Sequence, residues 1–291
     1  MNLPLPLLMI LAMMLWGGGW PALKILSESV SWEVATFWRF ALMAAAFVPI
    51  LWWHRKPLRL STGALGWAAL SALLNSLFMA LSFYGVYVGT AGAGGVVITT
   101  LSPVLTVLIA VVALGMKPTR RHIAGLVIGL AGGAVMVQVW DGEVLLHGGN
   151  LVFVACALVW AALTLAAQRS HLHLDPIHYT FLLGLIATVL MFFVAYPHGI
   201  GSVFSQDARF WGALLYLSVL GQTVASTIYF IASGKMGSGR ASSYMFLVPV
   251  CALVSSYFLL GEIPSSALLI GGAISSAAVY LINFSARRRL S

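Results

Sequence analysis

Residues equipped to make and break bonds are few in this chain and poorly placed to do so. Its seven carboxylates, Glu28, Glu33, Asp141, Glu143, Asp175, Asp207 and Glu262, fall at the ends of long apolar runs or between them. Cys156 and Cys251 lie inside such runs, where a thiol ordinarily serves packing rather than a disulfide. His171 and His173 form an H-x-H pair with no Cys or second His pair nearby, and His54, His122, His147, His178 and His198 stand near run ends. A solvated loop accounts for that pair better than a metal centre does. There is no phosphate-cradling glycine loop, dinucleotide fingerprint or Ser-His-Asp arrangement. The expected chemistry is therefore recognition: not an enzyme, with no catalytic residues, no metal ligands and no cofactor.

The residues suited to recognition are aromatic and neutral polar. Trp16 and Trp160 each stand about twelve residues into an apolar run, which at 1.5 Å per residue is close to mid-membrane. Tryptophan in membranes favours the interface, so this depth is unusual. Two such rings would pack a large apolar or aromatic group and offer their faces to an ammonium; the alternative is core or lipid packing. Gln222, Ser226, Tyr229 and Ser233 recur at i, i+4, i+7 and i+11, one face of a helix. Trp160, Thr164 and Gln168 repeat the pattern, as do Asn75, Met79 and Ser82, with Tyr84 and Tyr87 further along. Thr99, Ser102 and Thr106 gather around Pro103, and Ser238, Ser242 and Met245 precede Pro249. In lipid such stripes must face other helices or a wet cavity. The expected substrate-binding set is Trp16, Asn75, Met79, Tyr84, Thr99, Ser102, Trp160, Thr164, Gln222, Ser226, Tyr229, Ser242 and Met245. Pro103 and Pro249 are the expected hinges, since each removes a helical hydrogen bond. Arg39, the one charge well inside a run, either meets a substrate carboxylate or, as favoured here, snorkels outward or pairs with Glu33.

Composition says what holds these residues. Of 291 residues 61% are hydrophobic and 8% charged, with a mean hydropathy of +1.00. Soluble domains carry roughly a quarter charged residues, so lipid must be the main solvent. Long apolar runs without period-2 alternation select helices over a closed barrel. Ten runs are read as membrane helices: 5–26, 33–53, 63–86, 91–114, 121–139, 148–168, 177–197, 210–232, 237–260 and 265–286. The net charge of +8 comes from short basic clusters between runs, which set topology and do not suggest nucleic acid. With a cytoplasmic N-terminus, Arg55, Lys56, Arg59, Lys117, Arg120, Arg121, Arg169, Lys235, Arg240, Arg287, Arg288 and Arg289 lie inside, and only Lys24 and Arg209 outside. The expectation is a multi-pass protein of the bacterial inner (plasma) membrane with both termini cytoplasmic. Its partners would be membrane lipids and a small-molecule substrate, and the chain a monomer or homodimer.

The two halves match each other. Leu114-Gly115-Met116-Lys117-Pro118 aligns with Leu260-Gly261-Glu262-Ile263-Pro264 at an offset of 146, which also pairs Pro103 with Pro249 and Gly125 with Gly271. Trp16 pairs with Trp160, and Thr36-Phe37 with Thr180-Phe181, at an offset of 144. Five crossings per copy is odd, so the copies must be inverted, a construction secondary transporters use. The expected fold is all-α integral membrane, ten transmembrane helices as two inverted five-helix repeats. Residues 1–140 and 148–286 are the repeats, and 287–291 a basic tail.

Trp16-Gly17-Gly18, Phe37-Trp38-Arg39-Phe40 and the stretch from Gly239 to Pro249 followed by Leu259-Leu260-Gly261-Glu262 carry a resemblance. Over essentially its whole length the chain resembles the drug/metabolite transporter superfamily, in its ten-helix group with two EamA repeats. It is most similar there to bacterial exporters of aromatic amino acids. The resemblance implies export of neutral, large or aromatic amino acids or similar metabolites by alternating access, around helices one, three, four, six, eight and nine. Carriers of drugs or of phosphorylated or nucleotide sugars are the related alternative; a phosphate would require more buried cations than Arg39. A non-transporting membrane protein or an intramembrane enzyme is the distant one. Met116 stands where the second repeat has Glu262, and Val248 precedes Pro249 where many relatives carry an acid. With no carboxylate in mid-run, the expected transport is gradient-driven or coupled through some other group.

Overall fold

The computed structural model describes residues 4–58, 60–89, 91–140, 148–260 and 265–284. Arg59, Asp141, Glu143, His147, Gly261 to Pro264 and the basic tail, all invoked above, lie outside the described residues. Among the described residues ten helices cross the bundle: α1 (Leu5–Ser29), α2 (Trp32–His54), α3 (Thr62–Val88), α4 (Ala91–Leu114), α5 (Arg120–Val137), α6 (Gly148–Ser170), α7 (Pro176–Ala195), α8 (Ala208–Met236), α9 (238–260) and α10 (Ser266–Asn283). By length and composition nine of these described helices could cross a bilayer; α9 passes through a tight 3₁₀ stretch at Tyr244–Leu247. Polar side chains start several helices. Ser61, Thr119, Asp175, Asp207 and Ser265 each accept a hydrogen bond from a first-turn amide, replacing a partner the helix cannot supply.

Helix packing repeats itself when the halves are exchanged. α2 packs on its counterpart α7, and α5 on its counterpart α10; α3 packs on α6 as α8 packs on α1, and α4 packs on α6 as α9 packs on α1. The two five-helix repeats therefore interlock about a pseudo-twofold axis, inverted with respect to each other. At the edge of the bundle a Cβ on Gly132 would lie 2.8 Å from the Gly271 carbonyl, and one on Gly271 2.6 Å from the Gly132 carbonyl. Backbone meets backbone there, as small residues allow in lipid. Elsewhere on α5 Gly125 meets Ile282 and Gly129 meets Phe246, so these small residues serve packing within the chain. Leu7, Trp52, Leu73 and Val112 are exposed on the outside, the apolar coat of a membrane protein.

Three crossings are irregular, and all three are central. α1 is interrupted at Gly18, between Leu5–Gly17 and Gly19–Ser29. A Cβ on Gly17 would fall 2.7 Å from the Ala252 amide nitrogen, so only glycine lets α1 lie this close to α9. α8 widens to a π-helix over Tyr216–Ala225, and Gly237, at φ 87°, makes the abrupt joint to α9.

Candidate functional site

The break in α1 and the π-helix in α8 are bound together. The Trp16 indole Nε1 donates to the Gly221 carbonyl at 3.1 Å, and the Tyr216 hydroxyl donates to the Leu15 carbonyl at 2.8 Å. Gly221 also accepts from the Ser226 hydroxyl at 3.2 Å, five residues on, the spacing a π-turn creates. These bonds hold Trp16 edge-on to Trp160, with ring centroids 5.2 Å apart and planes at 86°. Tyr229 lies 5.0 Å from Trp16 and 5.7 Å from Trp160, and Phe78 4.9 Å from Trp160. Thus α1, α3, α6 and α8 each contribute a ring to one cluster, and the two pseudo-equivalent tryptophans meet where the repeats meet.

A partly open cavity of about 110 Å³ adjoins this cluster. It is lined by Leu15, Trp16, Trp20, Leu23, Phe78, Met79, Ile98, Trp160, Leu217, Met245 and Val248, and its polar lining comes from Arg39, Ser82, Thr99 and Gln222. In register along the helices, these residues lie from mid-bundle toward the face opposite the termini. On the termini side, side chains tie the helices shut. Thr164 and Tyr229 share a hydroxyl bond at 3.0 Å, Tyr229 reaches the Met245 sulfur at 3.6 Å, and Ser233 donates to the Thr164 carbonyl at 3.0 Å. Lower still, the Ser238 amide donates to Gln168 at 3.0 Å.

Of the residues expected at the site, Trp16, Met79, Thr99, Trp160, Gln222 and Met245 line the cavity. Tyr229 sits directly behind the tryptophans, fully buried, and Thr164 is bonded to it. Ser226 bonds Gly221 and Gln222; Ser102 donates to the Ile98 carbonyl and Ser242 to that of Gly239, each on its own helix. Asn75 is buried but away from the cavity lining. Tyr84, 55% exposed, is not among the residues that line the cavity. Pro103 and Pro249 are each four residues past a lining residue, Thr99 and Met245, whose carbonyls therefore have no amide hydrogen four residues on. Trp20, Phe78 and Ser82 were not in the expected set. Phe78 follows the Asn75 stripe at i+3, a signal that polarity alone conceals.

Arg39 is the largest revision. It neither snorkels nor pairs with Glu33. It is 6% exposed, lines the cavity, and its Nε has no hydrogen-bond partner among the described residues. Glu33 instead faces His198 at 3.5 Å. A cation deep in a membrane helix costs about 2.5–3.5 kcal/mol on insertion scales, which makes an uncompensated one a functional feature by default.

A second cluster closes the termini-side ends of α2 and α7. Asp175 accepts from Lys56 at 2.9 Å and from the Ile177 amide at 3.1 Å, and lies 3.0 Å from His54 Nε2. Burial pushes the carboxyl up, but the Lys56 bond, the Ile177 amide and the charge of the His54–Lys56 pair outweigh it and hold Asp175 below its ordinary value. Among the described residues, His54, Asp175 and His178 alone offer three ligand atoms within 4.8 Å for a metal, and Asp175 is already paired with Lys56 through its other oxygen. His171, expected in a solvated loop, packs against Gly234 and bonds the Phe230 carbonyl at 2.8 Å. Burial lowers its imidazole below the usual range, against the opposing pull of that carbonyl and of Asp175.

Comparison with known proteins follows the same two-part division. Residues 4–138 and 147–284 each match the profile described as the EamA-like transporter family. An uncharacterized transporter of Archaeoglobus fulgidus is 27% identical over 288 residues, covering 97% of this chain and 98% of that protein. A probable terminal-alkyne amino-acid exporter of Streptantibioticus cattleyicolor is 28% identical over 224 residues, 76% of this chain and 71% of its own. A probable amino-acid metabolite efflux pump of Salmonella typhimurium is 22% identical over 291 residues, 97% and 95% of the two chains. A solved crystal structure at 19% identity superimposes with a TM-score of 0.70 over 98% of both chains, a likeness of fold.

Proposed function

Since the chain belongs to the EamA-like transporter family, we propose that it exports neutral amino acids with large or aromatic side chains, or closely similar metabolites. The observation that carries this reading is the ring-walled cavity at the junction of the repeats, with Trp16 and Trp160 at its centre. An apolar body gains there from burial and edge-to-face contact, which aromatic pairs supply at about 0.5–1.5 kcal/mol beyond area. The names of the Streptantibioticus and Salmonella relatives lend support, since both refer to amino-acid export. Under the orientation that the basic loops favour, both termini are cytoplasmic in a bacterial inner membrane, and the cavity belongs to an outward-facing stage of alternating access. The repeats, 1–140 and 148–286, would rock about the Trp16–Trp160 contact, with the Pro103 and Pro249 segments yielding.

No described carboxylate lines the cavity, so the proposed flux does not depend on a protonated acid there. The test is uptake of labelled Phe, Trp, Leu and a cationic drug into proteoliposomes, with and without a proton gradient. Phe and Trp should move without the gradient, and Trp16→Ala and Trp160→Ala should cut their flux while leaving expression intact. Drug transport without amino-acid transport would overturn the substrate class. Unchanged flux in both variants would remove the tryptophans from the pathway.

A further inference from the structure

The cavity contains an imbalance of hydrogen-bonding groups. Two of its lining residues have buried polar atoms without partners: Arg39 Nε and Gln222 Nε2. Both are donors as the amide of Gln222 is oriented, with its Oε1 accepting from Ser226 at 3.3 Å. Buried donors left unpaired are rare and call for an explanation. Here the explanation is a missing acceptor, and because one donor is a guanidinium, an anionic one. The described residues supply none at the cavity. Glu28 lies 3.9 Å from Lys24, Asp175 pairs with Lys56, and Asp207 caps α8 through the Phe210 amide. Glu33, whose Oε1 faces His198 while its Oε2 has no hydrogen-bond partner among the described residues, is not among the lining residues.

Resting on the proposed function, we propose that Arg39 is the anion anchor of the transport site and binds the carboxylate of the substrate, with Gln222 donating alongside it. A guanidinium offers the planar donor fork that matches a carboxylate. α2 packs directly on the π-helical part of α8, which brings Arg39 and Gln222 to the same chamber. The rest of the ligand then lies against Trp16, Phe78 and Trp160. This arrangement requires a carboxylate at one end of the substrate and an apolar body at the other. It makes the ammonium the less demanding end, served by ring faces. An apolar amine without a carboxylate should therefore bind poorly.

Isothermal titration of the purified protein in detergent tests this directly. The ligands are phenylalanine, 3-phenylpropionate, 3-phenylpropanol and phenethylamine. Wild type should bind the two carboxylates at least about tenfold more tightly than the alcohol or the amine, the scale of one charge-assisted hydrogen bond. R39Q should erase that preference without weakening the alcohol, and R39K should restore part of it. Equal affinity of wild type for propionate and propanol overturns the anchor, as does an R39Q protein that still prefers carboxylates. The wild-type comparison decides the matter even if R39Q fails to fold. If propionate binds with Arg39-dependence but labelled amino acids do not move in proteoliposomes, the export reading fails and the anchor stands.

Discussion

At the scale of single residues, neighbours in sequence have different tasks. In Phe37-Trp38-Arg39-Phe40, Trp38 donates to the Ile200 carbonyl at 2.9 Å on the face opposite the termini, Arg39 enters the cavity, and Phe40 is fully buried in the core. Trp16 likewise has two functions, presenting a ring to Trp160 and a donor to Gly221. Trp16→Phe keeps most of the ring and deletes the donor, so it should destabilise the protein by roughly 1 kcal/mol and reduce aromatic flux less than Trp16→Ala does. Thermal unfolding in detergent and proteoliposome flux check the two parts. Tyr84→Leu is the control. The side chain is exposed and does not line the cavity, so flux and unfolding temperature should both match wild type.

At the scale of elements, close approach and end-capping set what can be changed. Gly17→Ala places a methyl against the α9 backbone, which has no rotamer with which to yield. The expected cost is about 1–3 kcal/mol, with lower expression and flux. Gly66→Ala should be silent because nothing lies within 4 Å of that position. Asp175 caps α7 and ties it to Lys56 and His54 after α2. Its folded carboxyl titrates below the ordinary 3.8, so the unfolded chain takes up its proton first as pH falls. The stability Asp175 contributes is therefore full above about pH 4 and is lost below it, as pH drops through the folded value. Unfolding temperature measured from pH 7 to pH 3 should fall at the acid end in wild type, and Asp175→Asn should be lower at pH 7 with a flatter acid limb.

At the scale of the whole molecule, the inverted packing and the one-sided cavity go together. Rings, hydroxyls and the Gln168–Ser238 bond fill the termini-side half, while the lining residues occupy the other half. In a Cys156→Ala, Cys251→Ala background, a cysteine at Thr99 should react with a small, charged, impermeant thiol reagent added to the face opposite the termini. A cysteine at Ser242 should not, and phenylalanine should slow the Thr99 reaction. Labelling of the Ser242 site from the termini side alone would reverse the assigned conformation.

The sequence by itself determined the ten crossings, their inversion and the pairing of Trp16 with Trp160. Each follows from local length, apolar continuity and an odd number of crossings per copy, properties that need no knowledge of neighbours. Helical periodicity also found the faces of α3, α4, α6 and α8, but not which polar groups remain free. Ser102 and Thr164 satisfy their hydroxyls on carbonyls one turn back, and a stripe looks the same whether or not it does so. Only the tertiary structure decided that Arg39 lines the cavity, that Tyr84 does not, and that the unpartnered Arg39 and Gln222 donors belong to one chamber. The physical reason is that burial and partnership depend on the opposing helix: α8 with its π-turn meets α2 and α1, and no spacing within either segment encodes that encounter.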